Sequence, residues 1–327
     1  MMAASFGGHV SRLDRNGWTL VQGVLSPQEC TEARGALLHL WQQQQQQKPP
    51  LVETSDIMHN LYNRGEAFER VYSSEGGRFA LRLARHFLGA DATLCDIEGR
   101  VLQPPPAAAE ETEQQPWWGR AGALHVDGSL TGPFQAYAPA DKGQRITSHM
   151  LTLRSIWCLS AFNKRAGSTM VVSGSHQDPA LPPGGPHGSA PEPLCHPAGL
   201  TVLEAEPGDV LLYSSGTYHG VLNPSPAASE PRLALLSGYS RSWLWKGFSS
   251  AGTPSTVPTP EVLRRAGDLA VPLFGLQAAM HPFRRQSSQQ QAEERAAALL
   301  ASCGGDVEQA VVILRRRHRH APPLARL

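Results

Sequence analysis

The N-terminal part of the chain combines a strand pattern with a helix start. Residues 17–25 alternate apolar and polar side chains between glycines, which predicts a β-strand. Residues 26–29 (Ser-Pro-Gln-Glu) then provide an N-cap, a first-turn proline and an N3 glutamate, the arrangement of a capping box. A helix is therefore predicted from Pro27 to about Trp41. The glutamine run 42–47 that follows either extends this helix or forms a low-complexity surface insertion.

A second helical pattern covers residues 66–88, where apolar side chains recur at helical spacing. The glycine pair at 76–77 is expected to divide it into two helices, and Gly89 is expected to end the second one. Residues 93–102 then have the composition of a strand.

The second half of the chain consists of short strand patterns separated by turn residues. A strand is predicted around residues 124–128, and the last strand pattern is apolar enough to be central in a sheet. The other predicted strands are 147–161 (one strand or two), 170–172, 201–205, 209–213 and 232–239. Many short strands preceded by helices predict a mostly β fold with flanking helices, a jelly roll.

Composition fits this architecture and narrows the function. The 327 residues are 41% hydrophobic and 17% charged, which suits one large domain, alone or with a small appendage. The 31 glycines and 27 prolines favour turns over a helical bundle. The formal net charge of +1 gives no support for nucleic acid as a partner.

The lack of a secretory signal or membrane span, together with the cysteine pattern, predicts an intracellular protein. No apolar run is long enough for a membrane span or a secretory signal, so we expect a soluble protein. The five cysteines are scattered without a Cys-x-x-Cys pair, which argues against a disulfide framework or a structural zinc site and favours a reducing compartment.

The candidate chemistry lies in His125 and Asp127. Two residues apart on a strand, they would point to the same face, and His219 from a distant strand would complete a 2-His-1-carboxylate triad. Such a triad leaves coordination positions open on a non-haem Fe(II). Taken alone, a His-x-Asp spacing is much more often a strand end whose polar side chains face water, so the flanking sequence has to decide.

Five blocks of sequence decide between these alternatives. Together they resemble the phytanoyl-CoA dioxygenase family in order and rough spacing, over about residues 12–276. The blocks are residues 23–30 (Gly-Val-Leu-Ser-Pro-Gln-Glu-Cys), 125–127 (His-Val-Asp), 167–176 (Gly-Ser-Thr-Met-Val-Val-Ser-Gly-Ser-His), 207–213 (Pro-Gly-Asp-Val-Leu-Leu-Tyr) and 219–223 (His-Gly-Val-Leu-Asn). The chain departs from the family pattern only at turn positions, where it has Ala166 and Ser173.

The resemblance implies a double-stranded β-helix that binds Fe(II) and 2-oxoglutarate, with ascorbate helping to keep the iron reduced. His125, Asp127 and His219 would be the iron ligands, and Arg232 would pair with the distal carboxylate of 2-oxoglutarate. Trp157 lies near the family's aromatic contact to 2-oxoglutarate, but one residue out of register, which on a strand turns a side chain to the other face.

The implied reaction is hydroxylation of a small organic substrate, such as a lipid-like compound or a secondary metabolite. O₂ is consumed, and 2-oxoglutarate is decarboxylated to succinate and CO₂. Two motif residues are expected to be structural instead: Asp209 as a turn residue and His176 in a Gly-Ser-His turn. The alternatives to an enzyme are a non-catalytic jelly-roll binding module and a scaffold that acts through C-terminal helices.

The C-terminal region differs in composition from the rest. We expect an oxygenase domain over residues 1–276, a linker over 277–291, and a helical hairpin with a basic tail over 292–327. Residues 304–311 resemble the end of a ubiquitin-associated domain, so ubiquitin binding through 292–316 is the alternative to a plain hairpin. The final tripeptide, residues 325–327 (Ala-Arg-Leu), resembles a peroxisomal address, which makes the peroxisome the alternative to the cytoplasm.

Overall fold

Two antiparallel sheets and a layer of helices make up the part of the chain that the computed structural model describes. That part comprises residues 5–46, 56–90, 92–105, 120–127, 150–178, 198–241 and 258–274. The helices are α1 (Phe6–Asn16), α2 (Pro27–Gln46), α3 (Arg70–Ser73), α4 (Glu75–Leu88), α5 (Pro260–Ala266) and α6 (Ala270–Leu273). The strands are β1 (Trp18–Val21), β2 (Ile57–Met58), β3 (Thr93–Leu102), β4 (Thr152–Cys158), β5 (Ser168–Val172), β6 (Leu200–Val202), β7 (Val210–Ser214), β8 (His219–Leu222) and β9 (Arg232–Ser240). Short 3-10 helices lie at Leu61–Asn63, Glu66–Glu69, Ser175–Gln177 and Gly267–Leu269.

The strands form a six-stranded sheet in the order β1-β7-β4-β9-β3-β2 and a three-stranded sheet in the order β6-β5-β8. Apolar side chains from both sheets pack together. Ile156 and Leu211 of the six-stranded sheet, for example, lie in one cluster with Val171 of β5 and Leu203, which directly follows β6. Two sheets packed across a shared interior are a jelly roll, so the predicted fold class is confirmed. As predicted, β9 is central, with β4 and β3 on either side.

The helices cover the outer face of the six-stranded sheet. Leu37 of α2 and Leu83 of α4 belong to the same buried cluster as Leu153, Leu212 and Tyr239 of the sheet. Burying these side chains stabilises the fold by roughly 1.5–3 kcal/mol each. The sheet therefore has an apolar outer face packed on helices and an inner face that is available for a site.

The predicted capping box forms at the start of α2. The backbone N–H of Ser26 donates to Glu29 Oε2 at 2.9 Å, and the N–H of Glu29 donates to Ser26 Oγ at 3.2 Å. The glutamine run continues the helix to Gln46, which resolves the alternatives left by the sequence. Gln44 is buried there, and its side-chain amide donates to the backbone oxygen of Ile57.

Helix α1 and the two-residue strand β2 are absent from the sequence-based prediction. In α1 the Ser5 hydroxyl caps the N-terminus and Gly17, with φ of 80°, ends the helix. Phe6, Val10 and Leu13 have helical spacing, and all three join the main core. The helical spacing of apolar residues was therefore present in the sequence, but it was short and lay in a segment with few apolar residues.

The predicted helix break falls at Ser74, between α3 and α4, and the glycine pair lies inside α4. The Ser74 hydroxyl accepts from the N–H of Gly77 at 2.9 Å and so caps α4. A Cβ on Gly76 would overlap the backbone of Val24, and one on Gly77 would overlap the backbone of α3. Close approach of neighbouring backbone, not helix termination, explains both glycines.

No helix in the described ranges is long and apolar enough to cross a membrane. Cys30, Cys95 and Cys158 are buried free thiols. The predicted linker at 277–291, the hairpin and tail at 292–327 and the terminal tripeptide lie outside the described residues.

Two glycine substitutions test the close approach at α4. Gly76→Ala is expected to lower the free energy of unfolding by about 1–3 kcal/mol, because the new methyl group has no room beside Val24. The control Gly35→Ala, in open space on α2, is expected to raise it by about 0.5–1 kcal/mol through helix propensity. Urea unfolding followed by circular dichroism measures both. Equal stabilisation by the two substitutions would contradict the packing described.

Candidate metal centre

His125 lies directly opposite His219 in the structure. The two residues exchange backbone hydrogen bonds, from His125 N to His219 O at 2.8 Å and from His219 N to His125 O at 3.0 Å. A second isolated bridge joins Ala121 to Leu222. The predicted regular strand at 124–128 is thus replaced, over its described part, by an extended segment that pairs with β8 at separate points. Directly opposed residues point to the same face, so the pairing brings both imidazoles together.

The three predicted ligand residues converge. One nitrogen from each of His125 and His219 and one carboxylate oxygen of Asp127 all lie within 4.8 Å of one another. The two imidazole centroids are 4.2 Å apart, and His219 Nε2 is 3.6 Å from Asp127 Oδ1. The N–H of Asp127 donates to Ser215 O at 3.0 Å, which fixes the carboxylate beside the β7–β8 turn.

Backbone carbonyls determine the tautomer of both histidines. His125 Nδ1 is 3.1 Å from Ala123 O, and His219 Nδ1 is 2.9 Å from Thr217 O. A carbonyl oxygen only accepts, so each Nδ1 must carry the proton and donate. In the neutral rings the lone pair is then on Nε2, the arrangement in which a histidine binds a metal ion while its other nitrogen is anchored.

Asp127 is held by a partly exposed arginine, Arg154. Its Oδ2 lies 3.2 Å from Nε of Arg154 in an ion pair. Burial alone would raise the pKa of Asp127, but Arg154 and then His219 hold that pKa well below its usual range. Burial likewise lowers the pKa of Arg154, whereas Asp127, Tyr213 and Glu98 more than offset this and raise it. The carboxylate is therefore ionised at neutral pH, as a metal ligand must be.

Arg232 opens β9 and is 6% exposed. Its Nη1 donates to the backbone oxygen of Ser168, and its guanidinium lies 4.8 Å from the ring centroid of Phe162. Its Nε is buried without a hydrogen-bond partner among the described residues. Burial and the nearby Arg100 lower the pKa of Arg232 to about 10. The guanidinium is therefore still cationic at neutral pH, and no described carboxylate forms an ion pair with it. A buried cation in this state favours an anionic ligand.

Trp157 does not join the other predicted site residues. It is fully buried in the cluster between the sheet and the helices, and its indole N–H donates to Ser155 Oγ at 3.0 Å. Across the sheet Trp157 pairs with Leu235, whereas Arg154 pairs with Gly238, which puts the two side chains on opposite faces. Ile156 is the neighbour that faces the interior. The one-residue register difference noted in the sequence accounts for this placement.

Asp209 and His176 have the structural roles predicted for them. Asp209 Oδ1 accepts from the N–H of Gly23 at 2.8 Å, and its Oδ2 accepts from the N–H of Glu206 at 3.0 Å. His176 Nε2 is 2.9 Å from the backbone oxygen of Asp14 in α1. Both side chains tie loops together.

The donors of the triad fit a divalent transition-metal ion. Two imidazole nitrogens with one carboxylate oxygen are the facial triad used by non-haem Fe(II) proteins. Asp127 Oδ2 is ion-paired with Arg154, although no aligned hydrogen bond forms there. Oδ1 is the oxygen that lies near the histidine pair, 3.6 Å from His219 Nε2, and is therefore the one available to a metal ion.

Sequence reasoning missed Arg154 and Tyr213. Tyr213 packs its ring on His219 at 4.6 Å between centroids. Burial, followed by Asp127, raises the pKa of Tyr213, which keeps the phenol protonated. Arg154 is a single charge within the apolar run 151–159, with the same strand parity as the inward-facing Ile156. That isolated charge on the inward face is the signal that could have found it.

Comparison with known proteins gives the family and the fold. The family model described as phytanoyl-CoA dioxygenase (PhyH) matches residues 13–223. No curated protein gives a significant match to the chain. Among solved structures, the epimerase SnoN in complex with Fe3+, alpha ketoglutarate and nogalamycin RO has a TM-score of 0.51 at 17% identity, over 77% of this chain and 92% of SnoN.

A second solved structure resembles the chain to the same extent. HygX from Streptomyces hygroscopicus, with nickel and 2-oxoglutarate bound, has a TM-score of 0.52 at 16% identity, over 74% of this chain and 90% of HygX. At such identities these similarities concern the fold, which they support as a jelly roll.

The role of Arg154 is tested by Arg154→Gln. Arg154 orients Asp127 and keeps its carboxylate ionised. The variant is therefore expected to bind Ni²⁺, a redox-stable substitute for Fe(II), roughly 10- to 100-fold more weakly than the parent. The control Arg165→Gln removes an exposed arginine that bonds only Ala227 O in the structure and is expected to leave affinity unchanged. Isothermal titration calorimetry measures both, with circular dichroism to verify folding. Unchanged Ni²⁺ affinity in folded Arg154→Gln would refute the positioning role.

Proposed function

The chain belongs to the phytanoyl-CoA dioxygenase (PhyH) family, and from this premise we propose that it is an Fe(II)/2-oxoglutarate-dependent dioxygenase. Its reaction is hydroxylation of a small organic substrate, a lipid-like compound or a secondary metabolite, with release of succinate and CO₂. The observation that carries the proposal is the convergence of His125, Asp127 and His219, in a fold that also holds the buried Arg232, which has no ion pair with any described carboxylate.

His125, Asp127 and His219 would hold the iron. Bound Fe(II), with 2-oxoglutarate and O₂ as cosubstrates, supplies the oxidising chemistry for an unactivated C–H bond. The two histidines offer Nε2 because their Nδ1 protons are bonded to backbone carbonyls. Asp127 offers Oδ1 and stays ionised through Arg154. Three ligands on one side leave the opposite side for cosubstrate and O₂.

Arg232 would bind the distal carboxylate of 2-oxoglutarate. Its Nη1 donates to Ser168 O, and Ser168 pairs with Leu222, three residues along β8 from His219. At about 3.3 Å per residue, this spacing is roughly 10 Å, which a short dicarboxylate anchored at the metal can span. The buried Nε of Arg232 supplies a further donor, and a guanidinium can meet a carboxylate with two parallel bonds.

Apolar packing supports the histidine pair from both sides. Leu124 and Val126 alternate with His125 and Asp127 and so point to the opposite face, where they are buried in a cluster with Tyr218 and Met170. On the face of the histidines, the ring of Tyr213 packs on His219. This packing holds the extended segment that carries two of the proposed ligands against β8.

The proposed oxygenase domain extends to residue 276. Its C-terminal helices α5 and α6 support this boundary, because Leu263 of α5 and Leu273 of α6 are buried in the main core together with Phe274. The remainder of the proposal, a 277–291 linker followed by an appendage at 292–327, is tested by removing residues 277–327. We expect the shortened chain to retain the thermal stability of the parent; a large decrease would refute the boundary.

Substrate-dependent turnover tests the function. The chain is incubated with Fe(II), ascorbate, 2-oxoglutarate and fractionated metabolite extracts, and succinate is measured by mass spectrometry. At least one fraction is expected to stimulate succinate release and to yield a product heavier by one oxygen atom. Since SnoN is described as an epimerase, products of unchanged mass are also analysed for stereochemistry. Absence of stimulated succinate with any fraction would favour a non-catalytic binding module.

Arg232 provides a test of cosubstrate binding. Arg232→Gln is expected to raise the Kd of 2-oxoglutarate by about 30-fold or more, because losing one partner of a buried charge pair costs about 2–5 kcal/mol. Arg232→Lys keeps the charge without the planar fork and is expected to bind with intermediate affinity. Calorimetry with Ni²⁺-loaded protein measures each value.

The matched control is Arg34→Gln. Arg34 forms a surface ion pair with Glu230, and Glu230 lies two residues before Arg232 in the sequence. It is expected to bind 2-oxoglutarate as the parent does. If folded Arg232→Gln also bound it with parental affinity, the cosubstrate anchor would have to be another residue.

A further inference from the structure

A second group of ligand-type side chains is buried in the six-stranded sheet. Among the described residues, the only cluster of this kind besides the metal centre consists of His59, Asp96 and Glu98. Asp96 and Glu98 lie on β3, and His59 directly follows β2, the edge strand paired with β3. The three are 2%, 2% and 8% exposed. The proposed oxygenase mechanism uses none of them.

The separations within this cluster are close to those between metal ligands. His59 Nδ1 is 3.6 Å from Glu98 Oε1 and 3.9 Å from Asp96 Oδ2. Zinc bonds of about 2.0–2.2 Å in a tetrahedron place ligand atoms roughly 3.3–3.6 Å apart, so the first separation lies in this range and the second is slightly longer. The same 3.6 Å separates His219 Nε2 from Asp127 Oδ1 in the first centre.

Asp96 supplies an independent indication. Its Oδ1 accepts from the N–H of Ile97 at 2.7 Å, which fixes the carboxylate, while Oδ2 is buried without a hydrogen-bond partner and faces His59. Buried carboxylates of this kind are stable when they are paired or coordinate a cation.

We propose that His59, Asp96 and Glu98 form a second metal site, which binds a divalent cation of the zinc type through one imidazole nitrogen and two carboxylate oxygens. The charge of such an ion neutralises both carboxylates, and its bonds join β2 to β3. The site is structural, because it fastens the short edge strand to the sheet that carries Arg154. Its occupancy requires no turnover, and Glu98 connects it electrostatically to Arg154 of the first centre.

Zinc stoichiometry tests this site on the full-length chain. Protein is freed of metal, loaded with Zn²⁺ in the presence of a competing chelator, dialysed and analysed by mass spectrometry for zinc per chain. Asp96→Asn, which keeps the size of the side chain, is expected to bind one zinc fewer than the parent. The double variant His125→Ala/His219→Ala is also expected to lose one, and the triple variant two. The exposed control Asp14→Asn is expected to lose none.

Comparison between variants cancels any zinc held elsewhere on the chain. Equal zinc content in parent and folded Asp96→Asn would overturn the proposal. If Asp96→Asn does not fold, X-ray absorption on zinc-loaded His125→Ala/His219→Ala decides without altering the cluster. One imidazole and otherwise oxygen ligands are expected, and absence of tightly bound zinc, or a site with several imidazoles, would overturn the second site. Because the readout is zinc content and ligand type, loss of the proposed oxygenase activity in these variants does not change the interpretation.

Discussion

The antiparallel backbone pairing of His125 with His219 is the constraint on which the metal centre depends. Two hydrogen bonds fix these residues directly opposite each other, and this register points both imidazoles to one side. Carbonyl acceptors then set both tautomers, and Asp127, two residues further on, is brought against His219. A shift of one residue would turn one imidazole away and dismantle the site. The short extended segment 120–127 is therefore as important as the regular strands around it.

The two faces of the six-stranded sheet have different roles: the outer face packs on the helices, and the inner face carries the charged residues of the site. The outer face, with Trp157 and Leu212, is apolar and packs on the helices. The inner face carries Arg154 and Arg232 in different electrostatic situations. Arg154 has Asp127 as its partner, whereas Arg232 forms no ion pair with any described carboxylate and has a lowered pKa. This difference is the reason for proposing Arg232, and not Arg154, as the anchor of an anionic cosubstrate.

Much of this could be predicted from the sequence, because the relevant signals are local or motif-based. The bounds of β3 follow from composition, the start of α2 follows from its capping box, and the triad follows from ordered motifs. Other features depend on tertiary contacts. Gly76 reflects the close approach of Val24, and Gly77 that of the α3 backbone, which no local pattern contains. The isolated charge of Arg154 was visible in the sequence, but its partner Asp127 was not. The register difference at Trp157 was also visible, but only the pairing of β4 with β9 fixes the face on which the side chain lies.

The central claim is that one site binds both iron and 2-oxoglutarate, and an anaerobic absorption spectrum tests it most directly. Addition of 2-oxoglutarate to Fe(II)-loaded protein without O₂ should produce the weak visible charge-transfer band of the iron chelate. The same addition to His125→Ala protein of verified fold should produce none. If the parent shows no band, and His125→Ala binds 2-oxoglutarate as tightly as the parent, then the triad is not the cosubstrate site and the account is wrong.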